Sequence, residues 1–189
     1  MDEIKFLDLT RQYKIIKSEI VPAVLDVRES QKFVSGPIVQ KFEERFAEFC
    51  GTKYAVGCSS GTDALIMSLM ALNIGPGAEV ITTPFTFFAT VESIIRVGAT
   101  PVFVDINEKT FNIDTSKIES AITNKTKAII PVHLFGQCSN MTEINRIAQK
   151  HDLKVIEDAA QAVAAEWKKH RAGSMGDLGC FSFFPAKNL

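Results

Sequence analysis

The sequence lacks an excess of charge of either sign. Its 189 residues include 21 Lys and Arg against 22 Asp and Glu, and no basic block interrupts this balance. Proteins that bind nucleic acid or anionic membranes usually carry a basic face or tail. The composition therefore predicts a protein whose partners include neither nucleic acid nor a membrane surface.

Long apolar runs and an export signal are also missing. No uncharged stretch reaches the roughly 20 apolar residues of a membrane span. Residues 1–9 carry neither a basic start nor an apolar centre, so nothing indicates secretion and we expect a cytoplasmic location.

The cysteines follow no metal or disulfide pattern. Cys50, Cys58, Cys138 and Cys180 form no Cys-x-x-Cys pair and do not have the spacing of metal ligands. We therefore expect reduced, mostly buried thiols and no metal site.

Strand-like and helix-like segments alternate after residue 53. This alternation predicts an α/β fold with three layers, a mostly parallel sheet with helices on both faces. The predicted strands are 54–58, 79–82, 100–105, 127–132, 153–157 and 178–184, and the predicted helices are 62–72, 90–97, 116–122 (opened by a Ser116/Glu119 capping box) and 141–150.

Two helices precede this pattern. The first is predicted over residues 9–26 with a kink or break at Pro22, and the second ends at Gly51. We divide the chain into a helical segment, 1–51, and a large α/β domain, 52–189. The domain looks incomplete because only five residues follow its last predicted strand.

A run of small and hydroxyl residues, 58–63, joins a predicted strand to a predicted helix. Free N–H groups at a helix N-terminus suit a phosphate, although Ser60 or Thr62 could equally be an ordinary helix cap. The run is neither a Walker loop nor a G-x-G-x-x-G motif, which disfavours nucleoside triphosphates and dinucleotides.

Other candidate groups follow the predicted strands. Three phenylalanines in 84–90 are core residues by default, but one could stack on a planar ring. Asp158, with Gln161 three residues on, could cap a helix or hold a heteroaromatic nitrogen protonated. His133 is more often structural, and we rank it as a possible supporting residue.

Lys187 follows the apolar run F-S-F-F-P and is the strongest candidate for chemistry. A lysine near a chain end is usually a surface residue, but this apolar run predicts an interior location. Desolvation favours the neutral amine, which forms Schiff bases. Ser182 could bind a phosphate. A phosphate cradle, a stacking aromatic, an acid and a buried lysine together describe a site for pyridoxal 5'-phosphate.

The chain resembles the DegT/StrS family of nucleotide-sugar aminotransferases, which have the fold-type I architecture and use pyridoxal phosphate. The motifs that carry the resemblance, in chain order, are S-S-G-T-D-A-L (59–65), T-P-F-T-F-F-A-T (83–90), V-D-I (104–106), P-V-H-L-F-G-Q (131–137), V-I-E-D-A-A-Q (155–161) and G-D-L-G-C-F-S-F-F-P-A-K-N-L (176–189). They cover nearly the whole chain, which resembles the N-terminal half of such an enzyme without its small C-terminal domain.

The resemblance implies a role for each motif. Lys187 would be the catalytic residue and form the Schiff base with the cofactor, Asp158 would pair with the pyridine nitrogen, and Gln161 would bind the ring hydroxyl. Phe87 would stack on the ring. The phosphate would be held by Gly61, Thr62, the backbone of Asp63, and Ser182.

The implied reaction transfers an amino group from L-glutamate to a nucleotide-linked keto-sugar, in a homodimer if the protein is full length. Related dehydratases carry histidine in place of Lys187, so lysine favours transamination. A catalytically silent fragment, a sugar dehydratase of the family and an amino-acid-directed transaminase of the same fold stay open as alternatives.

Overall fold

The computed structural model describes residues 7–187. It divides into two compact units: one contains the residues up to Glu48 together with Tyr54–Gly57, and the other contains Phe49–Lys53 and the chain from Cys58 onward. The boundary predicted after residue 51 stays a prediction.

Two helices dominate the first unit, α1 (Thr10–Ser30) and α2 (Pro37–Cys50). Of the kink or break predicted at Pro22, the break is wrong, because α1 continues through this residue; the kink stays a prediction. A proline removes one backbone hydrogen bond from a helix, and α1 has full turns on both sides of it. Gly51 follows α2 with φ 75°, as expected of a glycine that ends a helix.

The strand predicted at 54–58 is wrong. This segment is irregular, and the side chains of Tyr54 and Val56 are 72% and 77% exposed. The Gly57 N–H donates to Glu43 Oε1 at 2.6 Å instead of to a strand. An alternating apolar pattern produces a strand only where its apolar face is covered.

The second unit is built on a parallel sheet of five strands. Their spatial order is Thr100–Phe103, Glu79–Thr82, Thr126–Ile129, Lys154–Asp158 and Leu178–Cys180. The predicted three-layer α/β fold is therefore confirmed. The strands are β1 (Glu79–Thr82), β2 (Thr100–Phe103), β3 (Thr126–Ile129), β4 (Lys154–Asp158) and β7 (Leu178–Cys180), and a separate hairpin contains β5 (Glu166–Trp167) and β6 (His170–Arg171).

Neighbouring residues on each strand pack into different layers. Ile81 and Val155 belong to a buried cluster with the helix Met141–His151. Val80 and Ile156 belong to a second cluster with the helices Gly61–Ala71 and Phe88–Arg96. Successive strand side chains point to opposite faces, so the sheet is covered on both sides. The helices are α3 (Gly61–Ala71), α4 (Phe88–Arg96), α5 (Thr115–Ile118) and α6 (Met141–His151).

The predicted capping box of α5 is wrong. Asp114 caps the helix by accepting the N–H of Ser116, and the helix passes into a 3-10 turn at Glu119. Glu119 instead binds Lys150 and His151 of α6.

None of the helices within residues 7–187 is both long and apolar enough to cross a bilayer. The same residues contain no cluster of three or more His, Cys, Asp or Glu side chains suited to a metal ion.

The hairpin turn between β5 and β6 carries backbone strain. Trp167 pairs with His170, so the turn consists of Lys168 and Lys169, with φ 49° and 72°. Such turns require positive φ at both residues and favour Asn-Gly. The left-handed region costs a residue with a side chain about 1–2 kcal/mol.

Lys169→Gly should raise the free energy of unfolding by about 0.5–1 kcal/mol, because relief of the strain outweighs the entropy that glycine gains in the unfolded chain. Urea titration measures this change. The control is Lys127→Gly in the extended strand β3, which should lower the free energy of unfolding by about 0.5–1 kcal/mol. Equal destabilisation by both substitutions would contradict the assignment of strain to the turn.

Candidate active site at the carboxyl edge of the sheet

Two adjacent carboxylates end strand β4. Glu157 and Asp158 are both buried, with 0% and 6% of their surface exposed. Because strand side chains alternate, Glu157 lies on the face of Val155 and Asp158 on the face of Ile156. The two acids therefore have different neighbours.

Asp158 has few hydrogen-bond donors. Thr90 Oγ1 donates to Asp158 Oδ2 at 2.7 Å, and the Ala160 N–H donates to Oδ1 at 3.2 Å. The hydroxyls of Thr86 and Thr90 are hydrogen-bonded to each other, with 2.8 Å between the two Oγ1 atoms. Burial raises the pKa of Asp158, although these two bonds and the charge of Lys187 act in the opposite direction. A buried acid in this state gains from a cationic partner.

Each oxygen of the Glu157 carboxylate accepts two hydrogen bonds. Oε1 accepts the N–H groups of Met175 and Gly176, each at 2.6 Å, and Oε2 accepts the Gly173 N–H and His133 Nε2, each at 2.8 Å. Burial acts to raise the pKa of Glu157, but the hydrogen bonds from His133 and the backbone outweigh it and leave the pKa below its ordinary value. Glu157 is therefore a stable buried anion.

The N-terminus of α3 meets the segment after β7. A Cβ on Gly61 would lie 2.9 Å from Ser182 Cβ and 3.1 Å from the Phe181 carbonyl oxygen. This approach requires glycine, and it places the first turn of α3, whose N–H groups have no acceptor within the helix, against Ser182. The four residues predicted to hold a phosphate, Gly61, Thr62, Asp63 and Ser182, thus lie at one place.

Ser60 caps this helix, with its hydroxyl accepting the Asp63 N–H at 3.0 Å. The Asp63 carboxylate accepts the hydroxyls of Ser59 and Ser60, which lower its pKa. The capping interpretation is therefore correct. The cap takes the N–H of Asp63 and does not involve the N–H groups of Gly61 and Thr62 in the same turn.

Lys187 lies beside Phe87. Its Nζ is 5.6 Å from the centroid of the Phe87 ring, and its charge acts on Asp158. The structure thus brings the amine, the aromatic ring and the buried acid to one region at the carboxyl edge.

The aromatic side chains of this edge are exposed rather than core. The exposed fractions are 44% for Phe85, 67% for Phe87 and 66% for Phe88, so the default core interpretation of this run is wrong. The apolar lead-in to Lys187 was also expected in the interior, but Phe183 and Phe184 are 42% and 66% exposed. Strand β7 ends at Cys180 rather than at 184, because its partner β4 ends at Asp158. The chain beyond Cys180 therefore leaves the sheet.

Gln161 bonds to a strained loop. Its Oε1 accepts the N–H of Phe135 at 3.1 Å, and Phe135 has φ 55° and is 74% exposed. This bond orients the amide, because the acceptor oxygen faces Phe135 and the NH₂ donors occupy the other arm. Gln161 lies three residues beyond Asp158 but outside any helix, so Asp158 is not a helix cap.

Two contributors were missed at the sequence level. Thr90 was predicted only as the start of a helix, and Glu157 only as the neighbour of Asp158. A buried strand that ends in two consecutive acids is itself a signal, because each acid needs its own compensation. His133, ranked as a supporting residue, donates from Nε2, since its Nδ1 accepts the Ser139 N–H at 3.1 Å.

Similarity to known proteins shows the family of this chain. Residues 14–189 match the model of the DegT/DnrJ/EryC1/StrS aminotransferase family. The chain belongs to this family. The resemblance stated from the motifs is confirmed.

Named proteins and solved structures match along most of the chain. A pleiotropic regulatory protein of Geobacillus stearothermophilus is 50% identical over 98% of this chain and 50% of its own length. A UDP-2-acetamido-2-deoxy-3-oxo-D-glucuronate aminotransferase of Pseudomonas aeruginosa is 47% identical over 98% of this chain and 52% of its own length. The crystal structure of NtdA from Bacillus subtilis with bound cofactor PMP superposes with a TM-score of 0.93, at 39% identity, over 100% of this chain and 43% of that one. The chain thus spans about half the length of the relatives it matches.

Asp158→Asn should raise the free energy of unfolding of the cofactor-free chain at neutral pH. The raised pKa of Asp158 means that stability falls as the pH rises from the ordinary carboxyl pKa towards the raised one, and asparagine removes this loss. The Thr90 hydroxyl can reverse and accept from the new amide. Urea titrations at neutral pH and below the ordinary carboxyl range measure the gain, which should vanish at the lower pH. A loss of stability at neutral pH would contradict the description of Asp158 as an uncompensated acid.

Proposed function

We propose that this chain is the cofactor-binding portion of a pyridoxal-phosphate-dependent aminotransferase that moves an amino group from L-glutamate to a nucleotide-linked keto-sugar. The observation that carries the proposal is the buried Asp158, whose pKa is raised by burial and which lies within reach of the charge of Lys187. Perturbed carboxylates with a specific charge partner are typical of functional sites.

The residues present fit pyridoxal phosphate. The phosphate would be bound by the N–H groups of Gly61 and Thr62 in the first turn of α3 together with Ser182, because the glycine-opened end of the helix lies against Ser182. The Asp63 N–H would take part only by exchanging its bond to Ser60 Oγ for one to the phosphate. Asp158 would hold the ring nitrogen, since a cation there compensates the buried acid. Phe87 would cover the ring, and Gln161 would donate to the ring hydroxyl from the arm of its amide that does not face Phe135.

The cofactor, when bound, supplies the electron sink that stabilises negative charge on the substrate carbon. Asp158 would keep the ring nitrogen protonated and so preserve that electron sink. Lys187 would be the residue that holds the cofactor, and its amine would act as the base that accepts the proton from the α-carbon of the amino donor. The neighbouring Phe87 ring restricts where the amine of Lys187 can lie.

The substrate class is supported by the family and by the relative from P. aeruginosa, whose name states a nucleotide-linked 3-oxo sugar. L-glutamate as amino donor and a cytoplasmic location are parts of the same proposal.

A homodimer completes the proposal for the full-length protein. Exposed phenylalanines surround the carboxyl edge of the sheet, with 67% of Phe87, 66% of Phe88 and 66% of Phe184 accessible. Large exposed apolar patches mark interaction sites. We propose that the remaining part of the protein and a second subunit cover this edge.

The first test is whether the chain attaches the cofactor at Lys187. Added pyridoxal phosphate should give an absorbance band at the edge of the visible range that borohydride removes and that Lys187→Ala lacks. Lys125→Ala, which removes an exposed lysine outside the site, is the matched control and should keep the band. Equal bands in wild type and Lys187→Ala would contradict the proposal, and no band in wild type would favour a catalytically silent fragment.

Adding L-glutamate distinguishes the remaining alternatives. A transaminase should convert the band to that of the amine form of the cofactor and release 2-oxoglutarate. A band that glutamate leaves unchanged, but that another amino donor converts, would indicate an amino-acid-directed transaminase. A dehydratase would consume a nucleotide-linked sugar without retaining the amino group in the product.

A further inference from the structure

We infer that Glu157 is a positioning residue of the candidate active site: it fixes the segment that enters β7, and so sets where Ser182 and Lys187 lie relative to Asp158. This inference rests on the proposed function, because it concerns the distance between groups that hold opposite parts of one cofactor. The side chains of Glu157 and Asp158 lie on opposite faces of β4. The residues that donate hydrogen bonds to Glu157 include none of the proposed cofactor-binding residues.

Strand β7 needs such an anchor because its pairing is short. Three residue pairs hold it to β4, namely Ile156 with Leu178, Glu157 with Gly179 and Asp158 with Cys180. Within residues 7–187, β7 lies at the end of the sheet order and pairs with β4 alone. A slip of one residue would move the following chain by about 3.3 Å and turn its side chains to the other face.

The Glu157 carboxylate holds the segment before β7 at three backbone positions. The N–H groups of Gly173, Met175 and Gly176 all point to it, within 2.6–2.8 Å. His133, in the chain that follows the neighbouring strand β3, supplies the fourth donor, and it is as fully buried as Glu157. One carboxylate thus ties together β4, the chain that follows β3 and the entry to β7.

Close packing allows this segment little freedom once it is anchored. A Cβ on Gly176 would lie 2.7 Å from the Val155 carbonyl oxygen, and a Cβ on Gly179 would lie 2.3 Å from Gly173 Cα. The anchored segment therefore transmits its position to Cys180, and two residues later to Ser182, whose Cβ lies against Gly61.

The chemistry of the donors makes Glu157 sensitive to an isosteric change. Backbone N–H groups cannot become acceptors, and His133 Nε2 carries its proton because Nδ1 accepts from Ser139. A glutamine at 157 would direct its NH₂ group at one pair of these donors, whichever way it turned. Asp158 differs, because the Thr90 hydroxyl can reverse.

The test compares Glu157→Gln with Ile144→Ala. Ile144 is fully buried in the cluster that includes α6 and takes no part in the hydrogen bonds to Glu157, so its truncation lowers stability without removing a bond of the β7 anchor. Pyridoxal phosphate affinity, from the absorbance titration, should fall at least tenfold in Glu157→Gln and by less than twofold in Ile144→Ala. Amide hydrogen exchange in the cofactor-free chain should quicken at Met175 and Gly176 in Glu157→Gln alone.

Failure of this inference and failure of the proposed function are distinguishable. A wild-type chain that forms no borohydride-sensitive band would overturn the function, whereas the hydrogen-exchange comparison would still test the anchor. Wild-type affinity in Glu157→Gln, or an equal loss in Ile144→Ala, would overturn the positioning role. If Glu157→Gln does not fold, Glu157→Asp, which keeps the charge but is too short to reach all four donors, takes its place with the same expected outcomes.

Discussion

The site depends on how hydrogen-bond donors are divided between two neighbouring buried acids at the end of β4. Glu157 receives four donors, three of them backbone N–H groups, and its pKa is lowered. Asp158 receives two donors, and burial raises its pKa. The bonds to Glu157 therefore outweigh its burial, whereas the two bonds to Asp158 from the described residues do not. When the surroundings of two adjacent titratable groups shift their pKa values in opposite directions, the two groups can have different roles. Here one role is structural and the other is chemical.

This division follows from the geometry of a parallel sheet. The alternation of β4 turns Glu157 towards the glycine-rich entry to β7 and Asp158 towards α4, which contributes Thr90. Strand ends of a parallel sheet meet at one edge, where α/β proteins bind ligands. The helix α3 and the chain beyond β7 bring Gly61, Ser182 and Lys187 to the same edge, so that the N-terminus of a helix and an amine lie near the buried Asp158.

The sequence predicted the features that depend on local pattern. Periodicity gave the layered sheet, the helices and strand β1, and the motifs indicated the family, because its residues occur in order along the chain. It failed where tertiary contacts decide. The apolar alternation at Tyr54 and Val56 has no covering face, the hairpin at Lys168 and Lys169 uses residues that disfavour its turn, and Phe87 is exposed although phenylalanine is usually buried. The donors of Glu157 come from residues 133 and 173–176, and no local pattern links them to it.

The most direct measurement is a carbon-13 NMR titration of the two side-chain carboxyl groups in the cofactor-free chain, assigned with Glu157→Gln and Asp158→Asn. Glu157 should remain ionised to a pH below the ordinary range of glutamate, whereas Asp158 should take up its proton at a pH above the ordinary range of aspartate and become ionised when pyridoxal phosphate is added. Titration of both groups within their ordinary ranges, with no response of Asp158 to the cofactor, would contradict the account.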